Sequence, residues 1–219
     1  LRFTINKRNA ADIPEIFTLL EEENIPRVCF YHLVYAGRGT KLMEEDLDHE
    51  ETRRVVDMII DRTADLHSRG KPKEVLTVDN HADGPYLYLR KLREDPERAK
   101  DVLKLLRMNG GNSSGNGIGC VSWGGAVHAD QFWRHVTFGN VTERPFSEIW
   151  TDTSNELMAK LKNKYPHVHG RCASCRFMPM CGGNFRVRAE AATNDLWACD
   201  PACYLTDEEI SGTLPDDDE

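Results

Sequence analysis

The sequence lacks a hydrophobic run long enough to cross a membrane. None of its apolar stretches approaches the roughly 20 residues that a transmembrane helix requires. It also lacks, near its start, the positively charged segment followed by an apolar segment that marks a secretory signal. We therefore expect a cytoplasmic protein without a membrane partner, in a compartment that keeps thiols reduced.

Positive charge is also in short supply. The 219 residues include 28 lysines and arginines against 36 aspartates and glutamates, for a formal net charge of -8. Because phosphate groups bind to basic surfaces and no basic cluster is present, we exclude a nucleic-acid partner. Part of the negative charge lies in residues 211–219, which are predicted to form an acidic, solvated tail.

Cysteines are concentrated in one region of the chain. Five of the seven lie close together, at Cys172, Cys175, Cys181, Cys199 and Cys203. The odd total and the missing secretion signal argue against a disulfide framework. The spacing Cys-x2-Cys-x5-Cys, followed by two glycines, lets several sulfurs point inward from one tight loop. This segment therefore predicts a metal site.

Two kinds of metal site agree with the cysteine spacing. Cys172-x2-Cys175 and Cys199-x3-Cys203 resemble the two halves of a zinc site, but that arrangement leaves Cys181 without a role. A four-iron cluster takes four cysteines from irregular loops, often with one distant ligand. The spacing favours the cluster and leaves zinc as the alternative.

The first half of the chain has the pattern of an α/β fold. Strands are predicted over residues 1–6, 27–35 and 74–78, where apolar and β-branched residues dominate. Helices are predicted over 11–21 and 48–70, where apolar residues recur every three to four positions. Such a succession gives parallel strands, in an open sheet or part of a barrel, with ligand sites at the strands' carboxyl ends.

The composition changes abruptly after residue 108. Residues 109–117 read Asn-Gly-Gly-Asn-Ser-Ser-Gly-Asn-Gly, which predicts a linker or, alternatively, a mobile loop over a substrate. We expect a first domain over 1–108 and a second over 118–210. In the second domain, Gly124 and Gly125 between apolar segments predict a β-hairpin.

Several motifs resemble a known family. Gly-Gly-Ala-Val-His at 124–128, Phe-Gly-Asn-Val-Thr-Glu-Arg-Pro-Phe-Ser-Glu-Ile-Trp at 138–150 and Cys-x2-Cys-x5-Cys-Gly-Gly-Asn at 172–184 resemble the SPASM or twitch auxiliary-cluster domain. That domain is appended to radical S-adenosylmethionine (SAM) enzymes. The segments 27–39 and Asp-Pro-Ala-Cys-Tyr-Leu at 200–205 resemble the branch of that family in haem and haem d1 biosynthesis. The resemblance covers nearly the whole chain.

The resemblance implies a two-part α/β fold and a cluster site. The fold would be the C-terminal half of a partial (β/α)6 radical SAM barrel, followed by a small cysteine-rich α+β domain of the SPASM or twitch type. One auxiliary [4Fe-4S] cluster would be held by Cys172, Cys175, Cys181 and Cys203, with Cys199 as the alternative fourth ligand. Asp130 stands where SPASM domains with two auxiliary clusters have a cysteine, so the first of those clusters is expected to be absent.

One hallmark of the family is missing from these residues. The Cys-x3-Cys-x2-Cys loop that holds the catalytic cluster in radical SAM enzymes does not occur in the sequence. The first residue is Leu1 rather than a methionine, and a strand is predicted from the outset. We therefore expect an upstream barrel segment that supplies a second [4Fe-4S] cluster, and we expect this chain alone to be inactive.

The family's chemistry implies a reaction and a set of contacts. The intact enzyme would cleave S-adenosylmethionine with an electron from a donor protein. It would then remove carboxylate side chains from an iron tetrapyrrole, didecarboxysiroheme, in haem or haem d1 biosynthesis. Thr4 resembles the strand position that contacts the SAM cofactor. Tetrapyrrole carboxylates and iron call for basic and imidazole groups, and the candidate contacts are Arg38, His128, Asp130, Arg134 and His135.

A hypothesis of a different class competes with the enzyme. The chain would then be a stand-alone iron–sulfur or zinc-binding scaffold module that acts with a partner chain. The two hypotheses share the cysteine site and differ in whether an upstream segment carries the radical chemistry. The residue that performs the catalytic step is not identified by either.

Overall fold

The computed structural model of the chain describes residues 1–215. Its first half alternates strands and helices, as the sequence predicts. The elements are β1 (Arg2–Thr4), α1 (Ile13–Glu22), β2 (Arg27–Tyr31), α2 (His49–Ser68), β3 (Glu74–Val78), α3 (Asp83–Glu94) and α4 (Pro96–Asn109). Short 3-10 helices cover Ala10–Asp12 and Gly37–Glu45. Residues 216–219 of the predicted acidic tail lie outside the described residues.

The three strands form one parallel sheet in the order β1-β2-β3. Tyr31 is the partner of Thr4 on one side and of Val78 on the other. The strand predicted over 27–35 ends at Tyr31. Its neighbour β3 ends at Val78, whose carbonyl accepts a last hydrogen bond from the His32 amide at 2.9 Å. Strand β2 is therefore shorter than its apolar run, because its neighbour β3 ends at Val78.

Helices cover one face of the sheet. Val28 and Phe30 point to that face and are fully buried. The core around them comes mainly from α1 and α2 and contains Ile5, Ile13, Phe17, Leu20, Val55, Ile59 and Leu66. On the other face Cys29 and Tyr31 are half-buried, and Leu76 is 39% exposed. This second face is therefore open within the described part of the chain. Parallel sheets usually have helices packed on both faces.

The helix ends follow local sequence signals. The Asp48 side chain accepts a hydrogen bond from the Glu51 amide, and Glu51 accepts one from the Asp48 amide, which is a capping box at the start of α2. Pro14 lies in the first turn of α1, where its missing N–H is not needed. Helix α4 ends at Gly110, which adopts the left-handed conformation with φ 67°.

The second half consists of short elements joined by loops. They are β4 (Cys120–Val121), β5 (Val127–His128), α5 (Phe146–Thr151), α6 (Glu156–Lys162), α7 (Met178–Cys181), α8 (Arg186–Thr193) and α9 (Asp207–Ile210). The antiparallel pairing of β4 with β5 confirms the predicted hairpin. None of the helices in residues 1–215 combines the length and the apolar character of a membrane span.

The two halves share a hydrophobic core. Tyr86 of α3 packs edge-to-face on Tyr204 with ring centroids 5.3 Å apart. Tyr88 makes a similar contact with Phe177 at 6.0 Å. All four rings are buried in one cluster with Leu103 of α4. The strand-and-helix half and the cysteine-rich half therefore pack directly on each other.

Candidate metal centre and strand-end clefts

Four of the five clustered cysteines surround one small enclosed cavity, here called the cysteine cavity. They are Cys172, Cys175, Cys181 and Cys203, and the other walls include Phe177, Met178 and Leu205. Each cysteine arrives from a different local structure. They lie in the 3-10 helix Gly170–Ser174, directly after it, at the end of α7 and in the loop before α9. The structure thus brings together the four residues that were predicted as ligands.

Cys199, the alternative ligand, does not line the cysteine cavity. Its Sγ accepts a hydrogen bond from the Cys172 amide at 3.4 Å and lies 3.4 Å from the His169 carbonyl, to which the thiol donates. Cys199 therefore contacts Cys172 without lining the cavity. Cys29 lies in β2 and Cys120 in β4, and neither borders the cavity.

The donor set fits a four-iron cluster by type and number. Zinc would draw four sulfurs to roughly 3.8 Å of one another, given Zn–S bonds of ~2.3 Å. Among residues 1–215, no three His, Cys, Asp or Glu side chains are arranged to hold one metal ion. A cluster instead binds each cysteine through a different iron. The cavity that the four cysteines surround has a volume of about 20 Å³.

Burial keeps these thiols protonated in the absence of a metal. It raises the pKa of Cys172 to about 12 and that of Cys203 to about 11, and it raises the pKa of Cys181 and Cys175 as well. Thiolates are the form that binds metal, so binding must release these protons. The four thiols are therefore neutral until a metal is bound.

A buried ion pair ties the cysteine loops to the sheet. Arg188 and Asp200 have side chains that are 0% and 1% exposed, and they are joined by two hydrogen bonds of 2.8 and 2.9 Å. The remaining nitrogen of Arg188 donates to the carbonyls of Leu33 at 2.9 Å and Asp79 at 3.0 Å. Those carbonyls belong to the loops that follow β2 and β3. Arg188 therefore holds both strand ends against the segment that leads to Cys203.

A pair of buried asparagines makes a second connection. Asn184 donates to the Asn80 side chain at 2.7 Å, and its own oxygen accepts from the His81 amide at 2.9 Å. Asn80 in turn donates to the carbonyl of Ala202 at 3.0 Å. Asn184 has a φ of 59°, a left-handed conformation that asparagine tolerates better than most residues. The Cys-Gly-Gly-Asn motif is thus fastened to the loop after β3.

The glycine-rich segment 109–117 packs against the same loops. The Asn112 amide donates to the carbonyl of Cys181 at 3.0 Å. A Cβ atom on Gly111 would overlap with the backbone of Cys181, and one on Gly182 would lie 2.8 Å from the carbonyl oxygen of Asn112. Asn112 and Ser114 are buried. The composition suggests a linker, but these backbone contacts pack the segment against the loop that contains Cys181.

Two clefts open at the carboxyl ends of the strands, and Gln131 borders both. The first, here called the β2 cleft, has a volume of about 640 Å³ and is lined by residues that include Tyr35, Gly37, Thr40, Arg134, His135 and Glu190. The second, the β3 cleft, has about 360 Å³ and is lined by residues that include Asp79, Asn80, His81, Asn112, Ser114 and Asp130. Both volumes lie in the range of small-molecule sites.

Three of the predicted substrate contacts line these clefts. In the β2 cleft, the Arg134 guanidinium stacks 4.8 Å above the Trp123 ring, and His135 Nε2 lies 2.9 Å from a carboxylate oxygen of Glu190. In the β3 cleft, Asp130 accepts hydrogen bonds from the Ser114 hydroxyl at 2.5 Å and from the backbone amides of two residues that follow it. The Asp130 carboxylate therefore orders its own loop as well as facing the cleft.

The other predicted contacts lie outside both clefts. His128 is buried in β5, where its Nδ1 lies 2.6 Å from the carbonyl of Val136. Arg38 is exposed in the 3-10 helix beside the β2 cleft. Thr4 is exposed in β1, on the open face of the sheet. The structure therefore does not gather these three with the cleft residues.

Comparison with known proteins finds an iron–sulfur domain over part of this region. Residues 112–176 match the SPASM family, described as an iron-sulfur cluster-binding domain. The chain is 68% identical to the Fe-coproporphyrin III synthase of Methanosarcina barkeri over 96% of this chain and 53% of that protein. It is 41% identical to the pre-heme d1 synthase of Dinoroseobacter shibae over 100% of this chain and 54% of that protein. The chain therefore contains a match to the SPASM domain and is similar over nearly its whole length to part of each of these two synthases.

These matches cover only about half of each relative. An AdoMet-dependent heme synthase of Methanosarcina barkeri is 27% identical over 91% of this chain and 54% of its own length. The chain thus spans about half the length of the curated relatives it matches. A solved structure of native anSMEcpe with bound AdoMet superposes with a TM-score of 0.61 at 15% identity, over 92% of this chain and 51% of that one. That likeness concerns the fold.

Two titratable residues of the β3 cleft were not among the predicted contacts. Asp79 directly follows β3 and has a φ of 68°, and burial raises its pKa to about 6. Burial, with the nearby cations Lys164 and Arg188, lowers the pKa of His81 to about 4. The polar run that begins at Asp79, directly after a predicted strand, is the sequence signal that indicates them. Both residues line the same cleft as Asp130.

The packing of Gly111 on the cysteine loop can be tested against its neighbour. Gly110 and Gly111 both have a φ of 67°, but a Cβ on Gly110 would meet no atom within 4 Å. Gly110→Ala should therefore cost only the left-handed strain of about 1–2 kcal/mol. Gly111→Ala should cost clearly more, because the backbone of Cys181 must also shift. Urea unfolding of both variants measures the difference, and equal losses would contradict the contact.

The raised pKa of Asp79 predicts a pH-dependent stability. Its pKa of about 6, above the ordinary 3.8, means that folding disfavours the ionised carboxylate. This penalty is complete above pH 6 and disappears as the pH falls toward 3.8. Asp79→Asn should therefore stabilise the fold at pH 8, by up to about 3 kcal/mol, and less at pH 4.5. Asp101→Asn, at an exposed position in α4, is the control in denaturant titrations at both pH values.

Proposed function

We propose that the chain is the C-terminal part of a radical SAM enzyme that removes carboxylate-bearing side chains from an iron tetrapyrrole. The observation that carries the proposal is the 68% identity to an Fe-coproporphyrin III synthase. Four cysteines around one cavity in a SPASM-type chain support it. Of the three synthases compared, the one with the highest identity is named for Fe-coproporphyrin III, which favours that product. We propose didecarboxysiroheme as the substrate.

The sheet supports a proposed architecture for the whole protein. We propose that β1, β2 and β3 are strands of a partial (β/α)6 barrel over residues 1–108. Their open face would then line the barrel interior, because barrels keep helices outside and ligands at the carboxyl ends of the strands. Thr4 is on that face, which favours its predicted contact with S-adenosylmethionine. An upstream segment would supply the remaining strands and the Cys-x3-Cys-x2-Cys loop, and this chain alone would be inactive.

The cysteine cavity supports a single auxiliary [4Fe-4S] cluster within a proposed SPASM domain over residues 118–210. Cys172, Cys175, Cys181 and Cys203 would hold it, and Asp130, in place of a cysteine, serves the β3 cleft instead. When bound, such a cluster can accept or relay one electron. A donor protein would supply the electron that starts the reaction. The chain's own part is to fix the cluster beside the strand-end loops, through Arg188 and Asn184.

The two clefts support a proposed substrate site. Arg134 and His135 would bind the propionate or acetate groups of the tetrapyrrole in the β2 cleft, since guanidinium groups pair well with carboxylates. Arg38 directly follows Gly37, which lines this cleft, and would join them. In the β3 cleft, Asp79 would repel a substrate carboxylate when ionised, and its raised pKa of about 6 reduces that repulsion. His128, which holds the Val136 carbonyl, would act by positioning the hairpin.

The cluster assignment predicts a pattern in metal content. Protein purified without oxygen should hold four irons and four sulfides per auxiliary site, with absorption typical of iron–sulfur proteins. Cys203→Ala should lose this cluster, because it removes one of four ligands. Cys199→Ala is the matched control and should keep the cluster. A colourless protein with one zinc, or loss of the cluster only in Cys199→Ala, would contradict the assignment.

An activity assay tests the reaction itself. The chain joined to its upstream segment should convert didecarboxysiroheme to Fe-coproporphyrin III in the presence of S-adenosylmethionine and a reductant. The product mass distinguishes loss of acetate from loss of propionate. Arg134→Gln should raise KM more than it lowers kcat, because it removes a substrate contact. If the protein binds a cluster and the partner chain but turns over no tetrapyrrole, the scaffold hypothesis is correct instead.

A further inference from the structure

Lys164 is a buried cation without an acidic partner. Its residue is 6% exposed. Among residues 1–215, the charged or titratable groups that act on it are Arg186 and Cys181, and no carboxylate is among them. The Nζ donates instead to the backbone carbonyl and the side-chain oxygen of Asn112, which are both neutral. Placing a charge in a protein interior costs several kcal/mol unless an opposite charge compensates it. The structure therefore leaves a positive charge without its expected partner.

The ammonium group lies directly beside the cysteine loop. Nζ is 3.1 Å from the point where a Cβ on Gly182 would stand, and Gly182 follows Cys181. Asn112, which accepts the lysine's hydrogen bonds, also donates its amide to the carbonyl of Cys181 at 3.0 Å. Lys164 thus lies close to Cys181, which lines the cysteine cavity, but does not line the cavity itself. It does not line either strand-end cleft.

Nearby acidic groups do not account for this charge. Asp200, which borders the cysteine cavity, is already paired through both oxygens with Arg188. A second buried cation, Arg186, also lies near the cysteines and donates to the carbonyls of Gly183, Leu196 and Ala198. The cavity is therefore flanked by two cations that bond only to neutral acceptors. The charge that would balance them is negative and belongs inside the cavity.

We propose that Lys164 is the counter-charge of the cluster held by the four cysteines, and that it raises the reduction potential of that cluster. Four thiolates give an iron–sulfur cluster a net negative charge, which increases when the cluster accepts an electron. A fixed cation in a low-dielectric interior stabilises the reduced state more than the oxidised state. Lys164 would therefore make the auxiliary cluster a better electron acceptor. This inference rests on the proposed cluster site.

Lys164 is a cleaner test position than Arg186. Arg186 organises three carbonyls of the cysteine loops, so its replacement would disturb the ligands themselves. Among residues 1–215, Lys164 donates hydrogen bonds only to Asn112. Lys160 provides a matched control on α6, because it is partly exposed and pairs with Glu156 at 2.5 Å. The variants Lys164→Gln and Lys160→Gln remove the same charge, one beside the cavity and one at the surface.

The decisive measurement is a redox titration of the auxiliary cluster, followed by electron paramagnetic resonance. The protein is the chain with its upstream segment, purified without oxygen, and the signal lost in Cys181→Ala identifies the auxiliary cluster. Lys164→Gln should shift the midpoint potential to a more negative value at unchanged iron and sulfide content. Lys160→Gln and Lys164→Arg should keep the wild-type potential. An unchanged potential in Lys164→Gln, with the cluster present, overturns the inference.

The remaining outcomes are also informative. Wild-type protein without an auxiliary four-iron cluster would refute the proposed cluster site rather than the role of Lys164. If Lys164→Gln fails to retain the cluster, Lys164→Arg shows whether retention depends on the positive charge of the side chain or on its shape. Retention by the arginine variant supports a counter-charge. Loss of the cluster in both variants, with a wild-type circular dichroism spectrum, means that the lysine acts through its shape and overturns the proposal.

Discussion

The buried ion pair between Arg188 and Asp200 is the constraint on which the arrangement of this protein depends. The Arg188 guanidinium group donates to both carboxylate oxygens of Asp200. It also donates to the carbonyls of Leu33 and Asp79, in the loops that follow β2 and β3. Removing either partner of such a pair typically costs about 3–5 kcal/mol, because the other charge stays buried and unpaired. The strand ends and the cysteine segment are therefore held in one fixed relation.

That relation gives the cysteine cavity and the clefts a common wall. Asn112 contacts the Cys181 carbonyl on one side and lines the β3 cleft on the other. Asn184 lines the cysteine cavity and binds the loop that carries His81. In the proposed enzyme, the cluster and the substrate would be separated by only these few residues. Such closeness suits electron transfer between the two, and it explains why the wall between them is made of ordered polar groups.

Elements with a strong local pattern were predictable from the sequence. The helix α2 was expected over 48–70 and runs from His49 to Ser68, because a capping box starts it and its apolar positions recur at helical spacing. The strand 74–78 was correct at both ends. The strand predicted over 27–35 was too long, because its partner stops at Val78. The segment 109–117 has the composition of a linker, yet its glycines serve close backbone contact with Cys181.

The sequence by itself determined the long helices α1 and α2, the parallel α/β order of the first half and the grouping of five cysteines, since these depend on local spacing and on motifs. Only the tertiary structure decided that Cys203 rather than Cys199 borders the cavity, that Asp130 orders its own loop, and that Asp79 and His81 share a cleft with it. The physical reason is distance along the chain. The hydrogen bonds that join Asn184 to His81 and Arg188 to Leu33 span 103 and 155 residues, and no local pattern encodes such pairings.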